Sequence, residues 1–367
     1  MVRPAEPGLR RYPLLTSDRA AAGTGQASGE PLRVGRWTDP QAWDDFVLRA
    51  PDGTLAHCWE WLRIVSKTYG HQVIPLASVR NGVLAGVLPL VQMNSRLFGR
   101  HLVSMPYLDT GGLCTAGDRA AEGALASAAV ELATASASQL ELRHLADRPI
   151  PLVPSLHKVT MVVDLSGGED AVWKRIHGNR RSQVRKARRA DLTTSVHGSE
   201  ALADFYRILA TNLRDLGSPV HRRAFFCRIM DAFGEDVRIV LVHAGDRAVG
   251  AAMVFVRGDR AVMPWMGTLR PFLRQAPSQL LYWQSLCYGI ARGCRVFDLG
   301  RSSPNSGTYE SKREWGAEPV QLFWHRLPGE PSDDDVQRWQ WGIEVWRRLP
   351  VPVANIIGAA VRGGIPQ

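Results

Sequence analysis

Lysine is scarce in this chain. Only five of the 45 basic residues are lysine (Lys67, Lys158, Lys174, Lys186 and Lys312), leaving forty arginines. Arginine is the default cation here, so each retained lysine asks for a specific reason. Cysteine is also sparse: five residues, odd in number, scattered and without a C-x-x-C pair, which supports neither a disulfide framework nor a zinc site. No G-x-S-x-G, H-E-x-x-H or Walker loop occurs, and no cysteine or histidine has the setting of an activated nucleophile. Any chemistry is therefore expected to need no covalent intermediate and no metal. His57, His101, His144, His157, His177 and His221 are scattered and read as structural or solvated. The longest apolar runs are broken by glycine or arginine and fall short of the roughly 18 residues of a membrane span. The first thirty residues lack the apolar core of a secretory signal. Residues 1–30 read as a disordered lead-in, and the chain as cytoplasmic.

What is present describes a globular protein: 367 residues, 45% apolar and 22% charged, enough for two or three domains. A net charge of +10 and a pI near 9.8 point to acidic partners such as nucleic acid, a nucleotide-bearing cofactor or an anionic membrane surface. A weak internal repeat organises the chain. "VRNGVLAGVLPL" (79–90) and "VHAGDRAVGAAMV" (242–254) both read as strand, tight turn, strand, with Gly86 and Gly250 at matching places. "MPYLDT" (105–110) pairs with "MPWMGT" (263–268), and "LELRHL" (140–145) with "VFDLGR" (296–301), at similar offsets. The expectation is an α/β (α+β) fold of two tandem units, each a largely antiparallel mixed sheet flanked by helices, at 31–165 and 166–330. Residues 331–367 would add an amphipathic helix and tail, with Val336, Trp339, Ile343 and Trp346 on one face. That tail could lie on a membrane surface.

Three stretches could carry chemistry. "WKRIHGNRRSQVRKARR" (173–189) holds eight basic residues and no acid, and reads as one basic amphipathic helix. Asn179, Arg180, Arg181 and Arg185 on it are candidate contacts for an anionic donor or acceptor. In "TLRPFLRQAPSQLL" (268–281), Arg270 and Arg274 lie in a loop leading to Ser278, read as a helix N-cap, and together suggest a phosphate site. In "FDLGRSSPNSGTYESKREWGAEP" (297–319), a strand delivers Asp298 and Arg301 to a loop followed by Tyr309 and Lys312. Acid, phenol and ammonium near one sheet edge suit the positioning of an amine nucleophile and the stabilisation of an acyl-transfer oxyanion.

The last stretch, with "NRRSQVRKARRADL" (179–192), "RDLGSPVHRRAFF" (214–226), "HKVTMVVDL" (157–165) and "SRLFGRHLVSMPYLDTGG" (95–112), resembles the FemAB-like proteins over about residues 35–327. It is most similar to their exopolysaccharide- and exosortase (PEP-CTERM)-associated subset. The resemblance implies two GNAT-like acyltransferase folds and N-acyl or aminoacyl transfer. Of the family's Gly-x-x-x-Phe-Lys pattern, Gly307 and Lys312 match, whereas Ser311 replaces the aromatic. The long helical hairpin that the peptidoglycan enzymes use around tRNA is not visible between 165 and 300.

The expected activity is thus direct N-acyl transfer, from acyl-CoA or alternatively aminoacyl-tRNA, to an amino group on an envelope or exopolysaccharide precursor. The acceptor would be a small molecule or a lipid-linked saccharide, and the protein would work in the cytoplasm or at the inner face of the membrane. Lys312 would stabilise the oxyanion, with Asp298 and Tyr309 orienting the amine or relaying its proton. Tyr107 and Asp109, taken as repeat equivalents of Trp265 and Gly267, would line an acceptor groove together with Trp265. The alternative is a non-catalytic module that binds nucleic acid or a nucleotide-sugar.

Overall fold

The computed structural model describes residues 32–328 and 340–366. The expected lead-in (1–30) and the positions of Val336 and Trp339 lie outside the described residues. In chain order the elements are β1 (Arg33–Arg36), α1 (Pro40–Arg49), α2 (Trp59–Tyr69), β2 (Gln72–Arg80), β3 (Val83–Ser95), β4 (Gly99–Ser104), α3 (Arg119–Ala135), β5 (Gln139–His144), β6 (Val153–Ser155) and β7 (Val159–Asp164). Then come α4 (Gly168–Arg175), α5 (Gly178–Arg189), β8 (Leu192–His197), α6 (Leu202–Leu216), α7 (Arg223–Phe233), β9 (Val237–Ala244), β10 (Arg247–Arg257) and β11 (Arg260–Thr268). The chain continues through α8 (Pro277–Ala291), β12 (Val296–Ser302), α9 (Gly307–Arg313), β13 (Ala317–Gln321), β14 (Phe323–Arg326), α10 (Gln340–Arg348) and α11 (Val351–Val361).

The strands form two seven-stranded sheets, β1-β2-β3-β4-β5-β14-β6 and, read from its other edge, β8-β9-β10-β11-β12-β7-β13. The two orders are the same pattern. In each, antiparallel neighbours lead to one parallel pair, β4/β5 and β11/β12, joined by a helix. The hairpins behind this pattern rest on local chemistry. Asn81 and Gly82 both adopt positive φ between β2 and β3, as a two-residue turn with right-handed strand twist requires, and Gly245 does so between β9 and β10. Gly86 and Gly250 sit at matching register shifts, where a Cβ would press on Thr115 and Thr268 respectively.

Two compact units result. One reaches Val159 and resumes at Val320, and the other spans Thr160–Pro319 and includes α10 and α11. A single cut near 165 with a second domain running to 330 does not describe this division, because β14 pairs with β5 and β6 of the first sheet. The first unit's core lies between its sheet and α3, where Ala121, Ala126, Ala129 and Ala133 let Leu125 reach Leu88, Leu90, Leu102 and Leu140. In the second unit α8 buries Leu280, Leu281, Trp283 and Leu286, and Gly289 leaves room for Phe297 of β12.

The basic stretch 173–189 is not one helix. Ile176 and His177 break it into α4 and α5: Ile176 is extended, the His177 N–H bonds Glu314 O at 2.8 Å, and the His177 ring accepts from Asn179 N–H. Tertiary hydrogen bonds at the break override the continuous periodicity.

The first unit buries a directed imidazole chain. Leu113 N–H donates to Nε2 of His144 (2.9 Å), so the proton of His144 sits on Nδ1 and faces Nδ1 of His325 (3.0 Å); the His325 Nε2–H then meets the exposed Asp147 carboxylate at 3.1 Å. His57 accepts from Thr54 N–H at Nδ1 and donates from Nε2 to Gly112 O. Burial holds all three rings neutral: His144 falls well below the usual histidine range, His325 is lowered, and His57 drops to about 4. Because the folded values lie below the unfolded one, the unfolded chain binds more protons as pH falls below 6.5. The stability they confer is complete above that pH and declines as pH falls, the share of His57 down to about pH 4. Urea unfolding is expected to show it, with His57 alone contributing a loss on the order of 2 kcal/mol between pH 7.5 and pH 5.

Candidate active site

The two parallel strand pairs differ in one respect. In the second unit the β11/β12 ladder ends at Val262 and Asp298, although β11 continues to Thr268 and β12 to Ser302. β11 stays with β10, where Gly267 and Thr268 pair with Ala251 and Gly250, so the two central strands part. In the first unit β4 ends at Ser104, and Met105 and Tyr107, at φ 52° and 71°, lead the chain out into a loop. It returns at 111–114 between β3 and β5: Val87 and Cys114 exchange both backbone hydrogen bonds, and Gly112 N–H donates to Arg143 O at 2.7 Å. The opening found in the second unit is filled here by the chain itself.

By sheet register Arg143 corresponds to Gly300. What a backbone amide does for the Arg143 carbonyl, Lys312 does in the second unit. Its ammonium, in a residue only 9% exposed, donates to Gly300 O and Arg301 O, both at 2.9 Å. Successive strand carbonyls normally point to opposite edges; Gly300, at φ 78°, supplies the backbone turn that lets these two converge. Asp298 supports the same turn, its Oδ1 accepting from Gly300 N–H (2.7 Å) and from the Thr160 hydroxyl (2.5 Å). Lys312 and Asp298 thus both brace the β12 kink beside the opening.

Lys312 reaches this position from α9, a short helix capped by Ser306, whose hydroxyl accepts from Tyr309 N–H and donates to Ser303 O. Tyr309 lies half-buried on its first turn. Arg180 of α5 holds α9 from outside, donating to Ser311 Oγ at 3.0 Å and standing 2.6 Å from the Glu314 carboxylate. A serine where the related pattern has an aromatic therefore has a use: it accepts from arginine. Below this contact Tyr282 stacks on Trp315, and burial pushes its phenol up to about 12 against the opposing pull of Arg180.

Arg270 and Arg274 lie exposed on a 3-10 turn, Arg270–Gln275, between β11 and α8. Ser278 is not the N-cap. Ala276 takes that position at φ 59°, Pro277 occupies the first helical position, and the Ser278 hydroxyl bonds Gln279. Proline's fixed φ moves the helix start upstream of the serine. The remaining candidates separate. Asn179 and Arg185 are exposed, Arg185 lying over the Trp173 ring, and Arg181 is half-buried on α5. Arg301, half-buried, offers its carbonyl to Lys312. Trp265 sits partly buried in an aromatic cluster with His221, Phe225 and Phe226.

Tyr107 and Asp109 are not the register equivalents of Trp265 and Gly267; Gly112 and Cys114 are, as the Val87–Cys114 and Ala251–Gly267 pairings require. Tyr107 is buried against Tyr69, with His71 on its hydroxyl, and Asp109 offers its carbonyl to Trp324. The loop excursion displaced the repeat beyond what aligning "MPYLDT" with "MPWMGT" allows. Sequence reading also missed Thr160, Glu314 and Asn212. Asn212 packs on Gly267 and donates to Thr268 O. Each acts from a distant segment with no local motif to mark it.

Among the described residues no cluster of three or more histidine, cysteine, aspartate or glutamate side chains could hold a metal ion.

Paired sheets of one order, each with a helix-linked parallel pair, define an α/β fold of two GNAT-like units. The family model described as "Acetyltransferase (GNAT) domain" matches residues 174–313, within the second unit. No curated protein matches the chain. Solved structures share the fold. FemX is 15% identical with TM-score 0.61, covering 80% of this chain and 96% of its own. L-PGS from Bacillus licheniformis is 11% identical with TM-score 0.54, covering 85% and 98%. A tandem GNAT protein from the clavulanic acid biosynthesis pathway is 12% identical with TM-score 0.51, covering 83% and 100%. The fold is therefore FemAB-like, and the family model over residues 174–313 supports an N-acyltransferase.

Proposed function

We propose that the second unit transfers an acyl group from a CoA thioester directly to an amine, using the opening between β11 and β12. One observation carries this reading: the parallel ladder stops at Val262 and Asp298 while both strands run on, and Lys312 takes up the β12 carbonyls that a closed sheet would pair internally. Separated strands offer backbone groups to an extended donor that has amides of its own, as the pantetheine arm does. The first unit's filled equivalent makes it a scaffold in this reading.

Arg270 and Arg274, beside the first turn of α8 with N–H groups that have no acceptor within the helix, would hold the donor's phosphates. Lys312 and Asp298 act as positioning residues through Gly300, and the positive charge of Lys312 would stabilise a thioester oxyanion developing in the opening. Arg301 and Trp265 border the same opening. Attack by the amine nitrogen forms the C–N bond as the C–S bond breaks, CoA leaves as the thiolate, and Tyr309 relays the ammonium proton to that thiolate. Arg180 keeps α9, and with it Tyr309 and Lys312, in register; the exposed Asn179 and Arg185 on α5 lie where an anionic acceptor would meet the basic face. The acceptor fitting the sequence resemblance is an amine on an envelope or exopolysaccharide precursor.

Titration calorimetry tests the donor site. The Arg270→Ala/Arg274→Ala double variant is expected to bind acyl-CoA about 10- to 100-fold more weakly than the parent. An unchanged affinity would remove the phosphate assignment. Saturable binding of tRNA with none of any acyl-CoA would transfer the donor role to aminoacyl-tRNA.

A further inference from the structure

Helix α11 is docked the wrong way round for an ordinary surface helix. Its small residues face inward: Ala354 and Gly358 are buried, and a Cβ on Gly358 would meet the Trp346 ring at 3.1 Å and the Val220 backbone at 3.3 Å. Its large apolar side chains face out, with Val353 40%, Ile356 75% and Ile357 41% exposed, and Val345 of α10 51% exposed just before them. Positions 353, 356 and 357, with the exposed Ala360, share one helical face. Amphipathic helices of globular proteins bury the large residues instead, and an exposed contiguous apolar face marks an interaction surface.

Among the described residues the net charge around this face is positive. From Val345 to Pro366 the chain carries Arg347, Arg348 and Arg362 and no acid. Arg222, whose Nε donates to Ala359 O at 3.1 Å, brings the start of α7 alongside, adding the exposed Arg222 and Arg223. Among the described residues the nearby acids are Glu344, paired with Arg347, and Asp215, paired with Arg214, whose guanidinium also donates to Leu349 O. A second copy of the chain is a poor occupant: a two-fold contact would set these arginines against themselves, and so few apolar side chains fall far short of the roughly 20 residues a side of a stable interface. No helix of the described residues is long and apolar enough to cross a bilayer.

We infer that α11 is an interfacial anchor that lays Val353, Ile356 and Ile357 into an anionic lipid surface, with Arg222, Arg223, Arg347 and Arg348 at the headgroups. The anchor is independent of the acyl-transfer reading, since none of these residues belongs to the β11/β12 opening.

Co-sedimentation of the full chain with vesicles of phosphatidylcholine, with and without phosphatidylglycerol, tests it. The protein should pellet with the anionic vesicles, and added salt should release it. Ile356→Glu/Ile357→Glu, at exposed positions that leave the melting temperature unchanged, should lower partitioning more than tenfold, and Arg223→Gln/Arg348→Gln about tenfold. Equal pelleting with neutral vesicles, pelleting that survives Ile356→Glu/Ile357→Glu, or no pelleting at all would overturn the anchor. So would a dimer in light scattering that Ile356→Glu/Ile357→Glu dissolves, which would assign the face to a second copy.

Discussion

Lys312→Met is expected to lower kcat/KM for N-acyl transfer by about 100-fold and to destabilise the second unit by about 3 kcal/mol. Methionine keeps the length of the side chain and removes the ammonium, so the carbonyls of Gly300 and Arg301 lose a charged donor that bonds both at 2.9 Å in a nearly closed setting. Hydrogen bonds to charged groups are worth about 1.5–3 kcal/mol, and an orphaned carbonyl adds its own desolvation cost. The kink at Gly300 would then relax, and a shift of about 1 Å in a positioned reacting group is enough for the loss in rate. Lys312→Arg should recover little of either quantity, because a planar guanidinium does not converge on two adjacent carbonyls as a compact ammonium does. Activity assays and urea unfolding on the same preparations separate the outcomes. Parental activity with a parental unfolding midpoint would remove Lys312 from the site.

The largest effect on stability is expected in the first unit, at Gly112→Ala. A Cβ there would stand 2.4 Å from the His144 ring and 2.7 Å from Arg143 O. Neither neighbour can give way cheaply: the ring is fixed between Leu113 N–H and His325, and Arg143 O accepts from Gly112 itself. Overpacking combined with loss of those hydrogen bonds should cost about 3 kcal/mol or more. Gly123→Ala makes the matched control, since Gly123 lies inside α3 and a Cβ added there would have no atom within 4 Å outside its own helix backbone. That substitution should stabilise by about 0.5–1 kcal/mol through helix propensity. Chemical denaturation of the pair checks both signs, and similar midpoints would mean that 111–114 is not rigidly held between β3 and β5.

Much of this architecture was legible because its signals are local. Asn81-Gly82 and Gly245-Asp246 specify hairpin turns, and Gly86 and Gly250 recur because the same bulge needs the same space in both sheets. Features created by distant partners left no such trace. The return of β14 to the first sheet rests on pairing with β5 across some 180 residues of chain, and the division of 173–189 rests on Glu314 O accepting from His177. The scarcity of lysine did single out Lys312, yet its role in holding two main-chain carbonyls depends on the positive φ of Gly300, twelve residues earlier. Ser278 failed as a cap because Pro277 had already fixed the helix start.

Amide hydrogen exchange on the full chain, with and without saturating acyl-CoA, addresses the donor site most directly. Protection should appear at 263–268, at 299–302 and over the first turn of α8, while 111–115 of the first unit stays unchanged, being already paired internally. No protection at 263–268 and 299–302 under saturating donor, or protection confined to the first unit, would contradict an acyl-donor site between β11 and β12.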